Sequence, residues 1–343
     1  MTHAVKTHAA TKNRKKLRGT TVSLSLALIA TVGAAGASIP SALADDISPD
    51  SVKFIFPPLP TTDADKQPKE LVALGKKLYM DTRFSKSGKM SCNTCHNIST
   101  FGVDNEPTSP GHEGKRGGRN SPSSFNASLH IAQFWDGRAA DVETQALGPV
   151  LNPIEMGMAS ASAVEKVIEG DKEYQALFKA AFPSEKAPIN FANFGKAIGS
   201  FERTLITPSR YDEFAKGNAS ALTVEEKKGL KKFIETGCTA CHMGSTFGGT
   251  MFQKLGLVKP YESKDLGRYE VTKNEADKMM FKVPSLRNVA ETAPYFHDGS
   301  VKDLPTAVKL MATHQLGKEL SSEDTESIVA FLKALTGSLP QPK

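Results

Sequence analysis

The sequence predicts a mainly α-helical chain built from two tandem domains of one design, and three observations carry that reading. All four cysteines fall in two Cys-x-x-Cys-His units, "CNTCH" at Cys92–His96 and "CTACH" at Cys238–His242. Each unit follows an apolar segment with helical spacing and a turn, which makes a weak internal repeat. Stretches with the alternating pattern of a half-buried strand are scarce.

Taken in order, residues 1–44 read as a signal peptide. A basic run spans Lys12–Gly19, a small-residue apolar stretch spans Thr21–Ser38, and Ala42–Ala44 offers an A-x-A cleavage site before Asp45. The rival reading is an uncleaved membrane anchor, although the stretch is short and Gly/Ala-rich for a stable span. Six of the 43 basic residues and none of the 37 acidic ones lie in this segment, so the formal charge of +6 belongs to it alone. The charge is no indication of a nucleic-acid partner. The remaining length fits about two domains.

Residues 45–69 are rich in Pro and Asp and predict an extended arm, with little helix possible around Pro57, Pro58 and Pro60. The first domain is expected at 70–207. It opens with a helix over Glu70–Asp81, where Leu71, Leu74 and Leu78 share a face, before the first Cys-x-x-Cys-His unit. Helical spacing continues over Ser162–Phe182 and Asn190–Leu205. Pro208 breaks the pattern and marks the boundary near Leu205–Arg210. The second domain, 208–343, repeats the grammar. Thr223 with Glu226 forms a capping box, Leu230, Phe233 and Ile234 make the apolar face, and the helix ends near Gly237 ahead of the second unit. A last helix spans Ser321–Gly337, capped by Ser322 with Thr325 or by Ser321 with Asp324.

Four cysteines in an exported chain are compatible with two disulfides, with thioredoxin-type redox sites or with a four-cysteine zinc site. None of these explains why His96 and His242 each directly follow a second cysteine. Cys-x-x-Cys-His is the attachment motif of c-type haem: two thioethers and one iron-ligating imidazole around one porphyrin edge. Cys92, Cys95, Cys238 and Cys241 are therefore expected to hold two haems c, with His96 and His242 as proximal iron ligands and the two domains cytochrome c-like.

What fills the other axial position divides electron transfer from catalysis. His112 sits in the Gly-rich stretch "PGHEGKRGGRN", a loop able to bring an imidazole to an iron and to withdraw it; the alternative is an exposed loop histidine. For the second haem, Met243, Met251, Met279, Met280 and Met311 all follow His242. Met311 lies late in its domain, where small cytochromes c carry their methionine, and His314 is its nearest competitor.

"GKKLYMDTRFSKSGKMSCNTCHN", "QFWDGRAADVETQALGPVLNPIEM" and "FKVPSLRNVAETAPYFHDGSVKDLPTAVKLM" resemble the bacterial dihaem cytochrome c peroxidase family from about Leu71 to Gly337. The resemblance implies a periplasmic enzyme that reduces hydrogen peroxide with electrons from a small cytochrome c or a blue-copper protein. It implies a peroxidatic haem on His96, with His112 as distal ligand in the resting oxidised enzyme, and an electron-entry haem on His242 and Met311. It implies Trp135 between the haems, Glu155 as acid–base group and Gln145 beside it. It further implies a calcium ion held by Asn120, Thr292 and Pro294, and a homodimer. Read without it, Trp135 is an interface core residue, Glu155 a helix-start carboxylate and Gln145 a solvated helix residue. His297 reads as structural near the second haem, His130 as no ligand, and Arg119 and Arg138 as partners for haem carboxylates. Two other readings remain: a dihaem electron-transfer cytochrome, and a relative that oxidises a partner protein.

Overall fold

In the computed structural model, which describes residues 47–60 and 66–339, seven helices of nine residues or more carry the fold: α1 (Lys69–Met80), α2 (Ala161–Glu169), α3 (Lys172–Ala181), α4 (Phe191–Glu202), α5 (Val224–Thr236), α6 (Leu304–Leu316) and α7 (Ser322–Lys333). The expected signal peptide lies outside the described residues. Among the described residues strand is confined to one antiparallel pair, β1 (Phe252–Lys254) with β2 (Met280–Lys282), which sets Phe252 opposite Lys282.

The helix ends follow local chemistry. Thr223 accepts from the Glu226 amide and Glu226 reaches back to the Thr223 amide, which starts α5; Gly237, at φ 99°, ends it. Ser321, not Ser322, caps α7 by accepting from the Asp324 amide. The helical stretch expected over Ser162–Phe182 is two helices. Gly170 closes α2, and the Asp171 carboxylate accepts from the amides of Glu173 and Tyr174, opening α3.

Two hydrophobic cores form. The first gathers Leu74, Tyr79, Phe84, Ile168, Phe178 and Phe194 from α1–α4 and the turn after α1. The second gathers Leu230, Phe233, Phe247, Ile328 and Phe331 around α5–α7. The N-terminal arm belongs to this second core. It forms a helical turn at Pro49–Val52, and Phe56 is fully buried, stacked on Phe247 with ring centroids 4.5 Å apart.

The repeat runs deeper than the sequence pattern. In the first half α1 crosses α4 so closely that a Cβ on Gly75 would lie 1.9 Å from Ala197 O; in the second, a Cβ on Gly229 of α5 would lie 1.9 Å from Ser327 O of α7. Asn126 (φ 60°) and Asn288 (φ 60°) each open a short 3-10 turn, and both side chains donate to Thr207 Oγ1 at 2.9 Å. The turns Gln133–Ala139 and Tyr295–Val301 are each closed by an antiparallel bridge. Asp141 and Asp303 then cap the helices that follow by accepting from the amides of Thr144 and Thr306. Thr207 thus receives matching side chains from both halves.

Candidate functional site

Each Cys-x-x-Cys-His unit opens on its own cavity. Cys92, Cys95 and His96 line one of about 540 Å³, and Cys238, Cys241 and His242 line another of about 260 Å³. The first unit is a helical turn, Cys92–Cys95, started by the reciprocal Ser91–Thr94 bonds and ended at His96. Tyr79 donates to His96 O at 2.6 Å, tying the unit to α1. The second unit follows the left-handed Gly237 directly, in a 3-10 turn Cys238–Ala240.

Each imidazole is oriented through its Nδ1 by a backbone carbonyl. His96 Nδ1 lies 2.9 Å from Pro122 O, and His242 Nδ1 lies 3.0 Å from Phe247 O. A carbonyl can only accept, so each Nδ1 carries the proton and each Nε2 keeps its lone pair. Burial pushes both rings below the usual histidine value, which keeps them neutral.

All four cysteines are free, and the pairs face different cavities, so no four-cysteine zinc site assembles. Burial pushes Cys92 up to about 12, Cys95 to about 11 and Cys238 to about 12. A redox dithiol needs a lowered value and the opposite environment. Paired neutral thiols beside one lone-pair imidazole, on a cavity of ligand size, fit a covalently held haem.

Trp135 lines both cavities. Its Nε1 donates to Asn120 O at 2.9 Å, and its carbonyl accepts from the Lys282 amide at 2.8 Å. Glu155 and Gln145 line the larger cavity together. Burial raises the Glu155 carboxyl above the ordinary range, against partial opposition from Arg138 and a hydrogen bond from Asn152. Gln145 ends the short helix that Asp141 caps.

His112 is not brought to the cavity. Its neighbours Pro110 and Gly111 line the wall, but its Nε2 lies 3.1 Å from Pro153 O, and the ring packs where a Gly157 Cβ would stand 2.3 Å away. Its amide donates to the main-chain carbonyl of Glu155 at 2.8 Å, so the loop is joined to the backbone at Glu155. Met311 lines the smaller cavity; His314 does not, its Nδ1 being 3.1 Å from Lys259 O and its ring against Tyr261.

Asn120, Thr292 and Pro294 all border the smaller cavity. The Asn120 amide nitrogen donates to Glu106 O at 3.0 Å, which turns its carbonyl oxygen the other way. Amide and backbone carbonyl oxygens are of the hard donor type that calcium takes. Arg119 is taken up by Asp136 at 2.5 Å and Asp265 at 2.6 Å, while Arg138 pairs with Asp136 at 2.9 Å and covers the Phe134 ring.

Two buried charged residues at these walls, Lys282 and Glu202, were not singled out in the sequence, and His130, read there as no ligand, stands beside the first. Lys282 and His130 line both cavities, and Glu202 lines the larger one. Burial and the nearby Glu143 push the Glu202 carboxyl up to about 8. A charged residue inside an apolar run, as in "MFKV" and "SFERTL", was the available signal.

A family model described as di-haem cytochrome c peroxidase matches residues 69–220. The chain is 46% identical over 312 residues to cytochrome c551 peroxidase of Pseudomonas aeruginosa, spanning 88% of this chain and 90% of that protein. It is 46% identical over 277 residues to cytochrome c551 peroxidase of Nitrosomonas europaea, spanning 80% and 82%. Among solved structures, a MauG-like protein associated with microbial copper homeostasis is similar with a TM-score of 0.71 at 28% identity, over 82% of this chain and 93% of that one.

Proposed function

The chain belongs to the di-haem cytochrome c peroxidase family, and on that premise we propose that it reduces hydrogen peroxide to water with electrons from a small cytochrome c or a blue-copper protein. The observation that carries the reading is the pair of Cys-x-x-Cys-His units, each on its own cavity, with Trp135 in the wall of both. Two haems c, when bound, would supply the iron that takes peroxide and the iron through which electrons enter.

The chain's own residues do the rest. Cys92, Cys95 and His96 would hold the first haem, and Cys238, Cys241, His242 and Met311 the second. Glu155, as a carboxylate, takes a proton from the near oxygen of peroxide and delivers it to the far oxygen, which then leaves as water. Gln145, on the same cavity, orients the peroxide by hydrogen bonding. Trp135 stands on the route between the two centres. His112, held here at Pro153 O outside the cavity, would have to swing with its loop to hold the first iron in the resting oxidised enzyme and swing back for peroxide to enter; its amide bond to the Glu155 main-chain carbonyl ties that loop to the segment carrying the acid–base group. Asn120, Thr292 and Pro294 would hold calcium where the two halves meet.

The domains are those the sequence divides near residue 207, and export by residues 1–44 would deliver the enzyme to the periplasm. Among the described residues no helix is long and apolar enough to cross a membrane. The resemblance gives partner-oxidising relatives a tyrosine where Met311 stands, which favours the peroxidase. Peroxide-dependent oxidation of a reduced small cytochrome c, by protein shown to carry two haems, tests the proposal; no turnover before or after one-electron reduction would leave an electron carrier or a partner-oxidising relative.

A further inference from the structure

Lys282 is only 5% exposed, and its Nζ has one polar neighbour, His130 Nδ1 at 3.2 Å. No carboxylate among the described residues pairs with it, and burial alone accounts for its lowered basicity, to about 8. His130 is enclosed as well. Its ring rests on Gly249, where a Cβ would come within 2.3 Å, and its Nε2 is buried without a hydrogen-bond partner. A buried ammonium and a buried imidazole nitrogen thus stand together, with no carboxylate in ion-pair contact among the described residues. An unpaired buried cation and an orphaned imidazole nitrogen both carry a cost that a bound acceptor would remove.

The position is fixed by the backbone. β2 holds Lys282 opposite Phe252, the Lys282 amide donates to Trp135 O at 2.8 Å, and the amide of Ile131, beside His130, donates to Gly249 O at 2.9 Å. Both side chains line both cavities. The groups proposed to fill those cavities each bring two carboxylates.

We propose that Lys282 and His130 form a carboxylate socket in the wall shared by the two cavities, which takes up a propionate of bound haem. The inference rests on the two-haem reading. In it, Lys282 neutralises the propionate and His130 supplies a second contact, so the socket sets haem position and potential beside Trp135. Both are positioning residues.

The test uses the haem-loaded protein and its variants Lys282→Met and Lys282→Arg. Haems per chain are counted by absorption, the potential of each haem by spectroelectrochemical titration, and the propionate bending bands by resonance Raman. In Lys282→Met the uncompensated propionate favours the ferric state, so at least one potential falls and its propionate band shifts. Lys282→Arg retains both. Two haems with unchanged potentials and bands in Lys282→Met would overturn the socket and leave the two-haem reading intact; fewer than two haems in the wild type would remove both. A structure of haem-loaded wild type with every propionate beyond hydrogen-bond reach of Lys282 Nζ and His130 would overturn it without any variant.

Discussion

Trp135 and His297 stand edge to face, ring centroids 6.5 Å apart, at equivalent places in two copies of one turn. Each follows a phenylalanine at positive φ, Phe134 at 65° and Phe296 at 71°, and each precedes an Asp-Gly step. The two turns share the Asn120 backbone: its carbonyl accepts from Trp135 Nε1 at 2.9 Å, and its amide donates to His297 O at 2.7 Å. The wall between the cavities is therefore built from both halves of the repeat.

Trp135→Phe keeps a ring but removes the bond to Asn120 O, at a stability cost of about 1 kcal/mol. Stopped-flow mixing of the fully reduced enzyme with peroxide should show slower transfer between the haems, with both haems retained. An unchanged rate would take Trp135 off the electron route.

Met311→His should lower the potential of the second haem, because a thioether favours the ferrous state more than an imidazole does. His314→Leu should leave that potential alone, since His314 faces Lys259 O and Tyr261. Redox titration decides, and an unchanged potential in Met311→His would end the assignment.

His112→Ala removes the proposed distal ligand while its backbone bond to Glu155 O can persist. The variant should turn over peroxide without prior one-electron reduction. If it still needs that reduction, His112 is not the gate.

Asp212 and Arg287 form a buried pair, 1% and 0% exposed, with a shortest contact of 2.6 Å. Asp212→Asn leaves the guanidinium without its charge and should cost about 3–5 kcal/mol in denaturant unfolding. Burial would raise the Asp212 carboxyl, but Arg287 outweighs it and holds it below the ordinary value. Its contribution to stability is therefore complete above the unfolded-state pKa and is lost as pH falls through the lower folded value. Asp212→Asn should flatten that acid loss; an equally steep loss would place its origin elsewhere.

Legibility in the sequence tracked how local the determinant is. The Thr223–Glu226 box, the α5 face and both Cys-x-x-Cys-His units are short-range patterns, and they lie where the spacing put them. The resemblance named Glu155, Gln145 and Trp135, and the fold gathers all three at the larger cavity. Long-range features were not legible. Nothing in "SVKFIFPPLP" shows that Phe56 stacks on Phe247, and nothing local to Gly75 or Gly229 shows a helix pressed against it. Ser162–Phe182 read as one helix because its apolar periodicity continues across the Gly170–Asp171 break. Lys282 and His130 lie 152 positions apart, so their pairing belongs to the fold alone.

The most direct test compares wild type with Glu155→Gln, each carrying two haems, in peroxide-driven oxidation of a reduced small cytochrome c across pH. Wild type should turn over, with an acid limb above the usual glutamate range because burial raises Glu155. Glu155→Gln should lose on the order of 10²–10⁴-fold in rate with haem content and potentials unchanged. A wild type that does not oxidise the donor with peroxide, or a Glu155→Gln variant as fast as wild type, would contradict the account.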